Sequence, residues 1–200
     1  MKSVYPVKKL PSLDWASVPA AELRHTGWLE PCEVAAKAQL CLAGEDLHVR
    51  LEAAEQPVRA LVTSPLEPVC NDSCLEFFLA PWEGDPRYFN FEFNPLGTLN
   101  LGFGGERASR VRQVVKNPEA VFCPKPFFTE TGWGIEFRIP ASFLQIYQPG
   151  FRFGGEMSGN FYKCGDLTEV PHYLTWAPLR CEQPDYHRPQ DFGRLCPEEK

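Results

Sequence analysis

Three runs in the chain, residues 74–79, 89–94 and 98–103, alternate apolar and polar positions with a period close to two. Successive side chains of a β-strand point to opposite faces, so this period predicts three strands. Paired as neighbours, they place Leu75, Phe77, Leu79, Phe89, Phe91, Phe93, Leu99, Leu101 and Phe103 on one core face. Glu76, Asn90, Glu92, Asn94, Thr98 and Asn100 then share the opposite face, an array of carboxylates and amides able to accept and donate hydrogen bonds.

The same pattern continues outside these runs. Residues 35–43 and 47–53 form a predicted hairpin around Gly44-Glu45-Asp46. Residues 133–139 alternate Trp133, Ile135, Phe137 and Ile139 against Glu136 and Arg138, and Pro140 then starts one short helical turn. Further strands are expected over 151–164, 173–176 and 192–196. With 20 prolines and 15 glycines spread between short runs, roughly nine or ten strands and almost no helix predict an all-β fold. The expected architecture is a two-sheet antiparallel β-sandwich of the jelly-roll or immunoglobulin-like kind. Residues 1–200 are read as one domain, with 1–31 an arm packed on the outside and anchored by Trp15 and Trp28. Trp15, Trp28, Trp133 and Trp176 are assigned to packing.

Composition narrows the function. An apolar share of 44% over 200 residues supplies one sizeable core. A net charge of -6, with Lys and Arg scattered, argues against nucleic acid and anionic membranes as partners. No apolar run approaches the roughly 20 residues that cross a bilayer. The first residues carry positive charge without a following apolar stretch, so the expected location is cytoplasmic, or secreted if the true precursor is longer. Eight cysteines include no C-x-x-C pair and are read as buried free thiols. No cofactor or metal is assigned. Glu45, Asp46 and Asp72 offer loop carboxylates to a structural calcium, but without a dense oxygen-ligand pattern. A haem site would need Met157 facing His172 or His187.

Several segments together resemble the family 9 carbohydrate-binding modules: Asp72-Ser73-Cys74-Leu75-Glu76-Phe77-Phe78, Phe89-Asn90-Phe91-Glu92-Phe93-Asn94, Gly132-Trp133-Gly134-Ile135-Glu136-Phe137-Arg138-Ile139-Pro140 and Tyr186-His187-Arg188-Pro189-Gln190-Asp191-Phe192-Gly193. Asn160-Phe161-Tyr162-Lys163-Cys164-Gly165-Asp166 and Pro171-His172-Tyr173-Leu174-Thr175-Trp176 are similar to a stand-alone, family 9-like branch. The resemblance implies a β-sandwich that binds a mono- or oligosaccharide without chemistry. In the better-known modules a sugar ring is clamped between two tryptophans while a Glu, an Arg and Asn or Gln side chains bond its hydroxyls. The Glu falls on Glu76 and the strand Asn on Asn94. One clamping tryptophan is replaced by Cys70 or Val69, the other by Tyr186, and the Arg by Glu92. These departures imply a ligand different from the one those modules hold.

The candidate ligand-binding residues are Glu76, Glu92, Asn94, Asn160, Tyr162, Lys163, Tyr186, His187 and Arg188, with Trp82 a further stacking surface or a loop plug. Two readings of the polar face stand side by side. It is either a sugar-binding floor or the solvated outer surface of a sandwich. Asn at three of its positions favours the first, because Asn is poor in strands. Two alternatives compete with the binding module. Glu76 and Glu92 on neighbouring strands satisfy the spacing a glycoside-acting enzyme uses, and a haem-binding sandwich is the third class. Substituting Tyr186 by Ala is expected to abolish glycan binding with little change in melting.

Overall fold

The computed structural model describes residues 2–198. Its strands are β1 (Val4–Leu10), β2 (Ala21–Glu22), β3 (His25–Thr26), β4 (Ala35–Ala43), β5 (Asp46–Ala54), β6 (Cys74–Ala80), β7 (Tyr88–Phe93), β8 (Leu99–Gly104), β9 (Val111–Gln113), β10 (Lys125–Phe128), β11 (Gly132–Pro140), β12 (Met157–Cys164), β13 (Tyr173–Thr175) and β14 (Gly193–Pro197). Two short helices, α1 (Pro118–Phe122) and α2 (Ala141–Leu144), follow β9 and β11. The expected strand over 151–164 is shorter, because Gly154 and Gly155 precede an extended segment that begins only at Met157.

The strands run in the order β10-β11-β5-β4-β1-β14-β12-β6-β7-β8-β9, with β2 beside β4, and β13 and then β3 beside β12. The sheet folds into two facing halves joined at β1. That strand pairs parallel with β14 through Val4, Tyr5, Pro6 and Val7, and parallel with β4 through Lys8, Lys9 and Leu10. The expected outer arm is therefore partly a bridging strand, with Tyr5 and Val7 buried in the core. The two registers are short, four residues and three, and Pro6 and Pro11 limit how far either ladder extends. All other strand pairs are antiparallel, as in the hairpin of β4 and β5 around Gly44, which adopts the positive φ of 62° its turn requires.

Between the halves, Phe91 and Phe93 of β7 pack on Phe137 of β11, with ring centroids 5.7 and 4.8 Å apart. Phe122 of α1 and Phe143 of α2 close over Phe91. Of the nine residues assigned to the core face of β6, β7 and β8, eight are fully inside and Phe103 lies at the margin. Each fully buried Phe contributes on the order of 1.5–3 kcal/mol through apolar surface removed from water. Trp82 belongs to this margin, edge-on to Phe89 and Phe103, and plugs the loop rather than offering a stacking face.

Candidate functional site

The opposite face of β6, β7 and β8 is also buried, which corrects the reading of a solvated surface. Asn90, Glu92, Asn94 and Asn100 are at most 5% exposed and Glu76 is 3% exposed. A second cluster built from Val69, Phe78, Tyr88, Tyr162, Tyr186 and Phe192 covers that face, with Val62 and Leu179 packed against it. Polar anchors hold the cover down. The Asp72 carboxylate accepts the backbone N–H groups of Leu61 and Val62 at 2.8 and 2.7 Å, and the Asn94 amide at 2.9 Å. Asn94 also donates to the Val62 carbonyl at 2.7 Å and accepts from the backbone of Leu96 and Thr98. Asn94 and Asp72 thus tie a loop to the sheet, and neither lines a cavity.

Between this face and its cover lies a cavity of about 260 Å³. Its floor holds Glu76 and Glu92, which stand directly opposite one another on β6 and β7. Their surroundings differ. Glu92 accepts from Asn90 at 2.6 Å and Asn100 at 2.9 Å, and the Arg110 guanidinium is 3.9 Å away. Glu76 has no cation within reach among the described residues; its Oε1 meets only the thiols of Cys164 at 3.1 Å and Cys74 at 3.7 Å. Burial first, and then the charge of Glu92, push the Glu76 carboxyl well above the usual carboxylate range. Burial also raises Glu92, but Arg110 and the two amides oppose it. Glu92, with an arginine and two amides beside it, is therefore the more acidic of the pair.

Arg110 reaches Glu92 across Gly102 of β8. A Cβ on Gly102 would sit 2.7 Å from Arg110 Cδ and 2.4 Å from Asn90 Oδ1, so only glycine leaves this path open. Arg110 Nη1 also lies 2.6 Å from Nε2 of His187, whose Nδ1 is 2.9 Å from the Tyr88 hydroxyl. Burial, with Arg110 and Arg107 adding to it, lowers the His187 pKa to about 2, so this imidazole stays neutral. Arg110, from the connection between β8 and β9, thus sets a positive charge beside Glu92, at the position where the resemblance implies an arginine.

The wall is aromatic. Trp28 lies 5.9 Å from Tyr186 at an interplanar angle of 40° and 5.5 Å from Tyr173 at 74°, and its Nε1 donates to the Cys181 carbonyl at 3.0 Å. Trp28 packs against the second cluster, as expected, and also lines the cavity. Tyr186 lines it as well, but is pinned by its stack on Tyr162, 4.1 Å apart and 12° from parallel, and by its hydroxyl donating to the Lys163 carbonyl. Replacing Tyr186 by Ala would thus empty a buried site, which corrects the expectation of unchanged melting.

Of the nine candidate residues, Glu76, Glu92, Tyr186 and His187 meet in this cavity. The other five do not line it. Asn160 uses both ends of its amide on the backbone of Ala177. Tyr162 lies behind Tyr186 and donates to its carbonyl. Lys163 points to the other face of β12, where it pairs with Glu55 at 3.1 Å and approaches His172 at 2.8 Å. Arg188 is held by Asp191 at 2.8 Å. Trp28, Asn100 and Arg110 are among the lining residues outside the nine candidates. The contacts expected of calcium ligands are also spent otherwise, since Asp46 pairs with Arg138 at 3.0 Å and Asp72 caps backbone N–H groups.

A family profile described as carbohydrate-binding family 9 matches residues 11–196. No functionally curated protein matches the chain. Among solved structures, the chain is similar to a proposed carbohydrate-binding protein from Bacteroides uniformis ATCC 8492, with 27% identity, a TM-score of 0.86 and coverage of 99% of this chain and 100% of that one. It also shares its fold with a family 9 module from Caldicellulosiruptor kristjanssonii solved with cellotriose (13% identity, TM-score 0.69, 99% and 95% coverage) and with glucose (14%, 0.67, 99% and 97%). With the profile spanning nearly the whole chain, this protein belongs to carbohydrate-binding family 9.

Proposed function

We propose that the cavity above Glu76 and Glu92 binds a single sugar unit, either free or at the end of a chain, without chemical conversion. Members of carbohydrate-binding family 9 are non-catalytic binding modules. The observation that carries the assignment to this cavity is its two-sided lining. A pyranose presents hydroxyls that need both donors and acceptors, together with apolar C–H faces that pack on aromatic rings. Glu76, Glu92, Asn100 and Arg110 supply the first requirement, and Trp28 and Tyr186 the second. At about 260 Å³ the space is below the roughly 300 Å³ at the small end of small-molecule sites, which suits one ring rather than several. The related modules solved with glucose and cellotriose are consistent with a ligand of this class.

Glycan-array screening followed by calorimetry tests the reading. Glu76→Ala is the informative variant, because removing a buried carboxyl that faces no cation strands no opposite charge. Binding of the selected sugar should weaken by at least about tenfold, or 1.4 kcal/mol, while the urea midpoint is retained. Unchanged affinity would move the sugar elsewhere.

The opposed carboxyls, held in unequal surroundings, also carry a second, glycosidase reading. The glycosidase reading predicts turnover of aryl glycosides that disappears in Glu76→Ala; the binding reading predicts none.

A further inference from the structure

Glu76 is buried beside two thiols that come from strand positions 90 residues apart. Cys74 precedes it by two residues on the same face of β6, and Cys164 of β12 stands directly opposite Cys74 in the antiparallel register. One ligand atom from each of Cys74, Glu76 and Cys164 lies within 4.8 Å of the other two, and all three residues are buried. Glu76 and Cys164 also line the cavity, so the cluster is reached from solvent through the same opening as the sugar site.

We propose that Cys74, Cys164 and Glu76 form a binding site for a thiophilic divalent cation, with zinc the best match. Its remaining coordination position opens into the cavity.

Three features support this. Ligand type comes first: two thiolates and a carboxylate suit zinc and disfavour calcium or magnesium, which take oxygen. Spacing comes second. Tetrahedral zinc with Zn–S near 2.3 Å and Zn–O near 2.1 Å separates a sulfur from an oxygen ligand by about 3.6 Å. The observed separations from Glu76 Oε1, 3.1 Å to Cys164 and 3.7 Å to Cys74, bracket that value, so small side-chain rotations close the geometry. Charge comes third. Glu76 is the buried carboxyl without a cation, whereas its neighbour Glu92 already has Arg110. A divalent ion binds there with release of the two thiol protons and the carboxyl proton, and the one excess negative charge of the resulting two-thiolate, one-carboxylate centre faces Arg110 and Arg112 across the same cavity. Three protein ligands with one open position is the arrangement in which a metal can also hold an exogenous oxygen. A sugar hydroxyl meets that description, but the metal site does not require it.

The experiment uses the full chain, purified under reducing conditions and treated with chelator. Titration with Co²⁺ should give one equivalent bound with a thiolate-to-cobalt charge-transfer band and the visible bands of a tetrahedral ion. Zn²⁺ should displace it. Cys74→Ser and Cys164→Ser should each diminish the charge-transfer intensity and weaken Zn²⁺ binding by at least tenfold, while Cys196→Ser, at a partly exposed thiol elsewhere, should leave both intact. If a serine variant fails to fold, the band intensity of the parent, read against two-thiolate cobalt standards, still decides the ligand count. No stoichiometric binding, a spectrum without sulfur charge transfer, or a Cys74–Cys164 disulfide persisting in the reduced protein would each overturn the proposal. Sugar binding measured on chelator-treated protein keeps the two readings separate: it survives there if only the metal site is wrong.

Discussion

Strands β6, β7 and β8 have two faces, both covered, that are built on opposite rules. The inner face is all Phe and Leu, filled from the other half of the sheet by Phe137, Phe122 and Phe143. The outer face carries two carboxylates and three amides under a cover of loops, and it has to give each polar group a partner. A hydrophobic face specifies only shape, whereas a buried polar face leaves chemistry unspent wherever a partner is weak. Glu76, meeting only thiols, is that place. The cavity thus lies over the polar face, and the larger apolar core under the other.

That contrast can be broken most severely from the inside. Phe91→Ala should cost about 3–5 kcal/mol in urea unfolding, the range for emptying a buried aromatic site. Any sugar affinity it loses should return under conditions that restore folding. Tyr186 tests the boundary between the faces. Tyr186→Ala should destabilise by about 3 kcal/mol, whereas Tyr186→Phe, which removes the bond to the Lys163 carbonyl and keeps the ring, should cost about 1 kcal/mol and leave most sugar binding in place. Equal effects would mean that its hydroxyl, not its packing, is what matters.

The polar face can be disturbed without touching its ligand groups. Gly102→Ala should displace Arg110 from Glu92 and weaken sugar binding about tenfold, or 1.4 kcal/mol, with a smaller change in the thermal midpoint. Retained affinity would remove Arg110 from the site.

The smallest effect concerns protons. His187 is held neutral by burial and by Arg110 and Arg107, with the Tyr88 hydroxyl and the Asp185 carboxylate also adjoining it. Its folded pKa is depressed below the value near 6.5 of the unfolded chain. Its contribution to stability is thus present above pH 6.5 and lost as the pH falls further, when the unfolded chain gains a proton that the folded one refuses. The stability difference between the parent and His187→Gln should shrink by about 0.8 kcal/mol from pH 8 to pH 6, measured by urea unfolding. A constant difference would show that His187 titrates alike in the folded and unfolded chain.

Much of this was legible in the alternation. The faces of β6, β7 and β8, the hairpin at Gly44, and the shared face of Glu76 and Glu92 are all read from the alternation and its breakers. The parity of residues 160–164 also carried a signal that went unused, since it puts Lys163 on the face opposite Tyr162 and Cys164. What could not be read was the cover. Residues 55–73 and 177–192 have no periodicity, and their placement depends on single anchors such as Asp72 and Asn94. Without the cover the polar face looks wet, Trp28 looks like packing, and Arg110 has no address. The thiol pair was invisible for another reason: Cys74 and Cys164 meet through strand register, and linear spacing of ligands does not record register.

Trp28 is the most direct probe, because it joins the aromatic wall from outside the sheet. Calorimetric titration of the parent and Trp28→Ala with the sugar selected on the array, alongside their urea midpoints, tests whether ligand binds in this cavity. The account predicts saturable binding by the parent that falls at least tenfold in Trp28→Ala with folding retained. A folded Trp28→Ala that binds the sugar as tightly as the parent would contradict it.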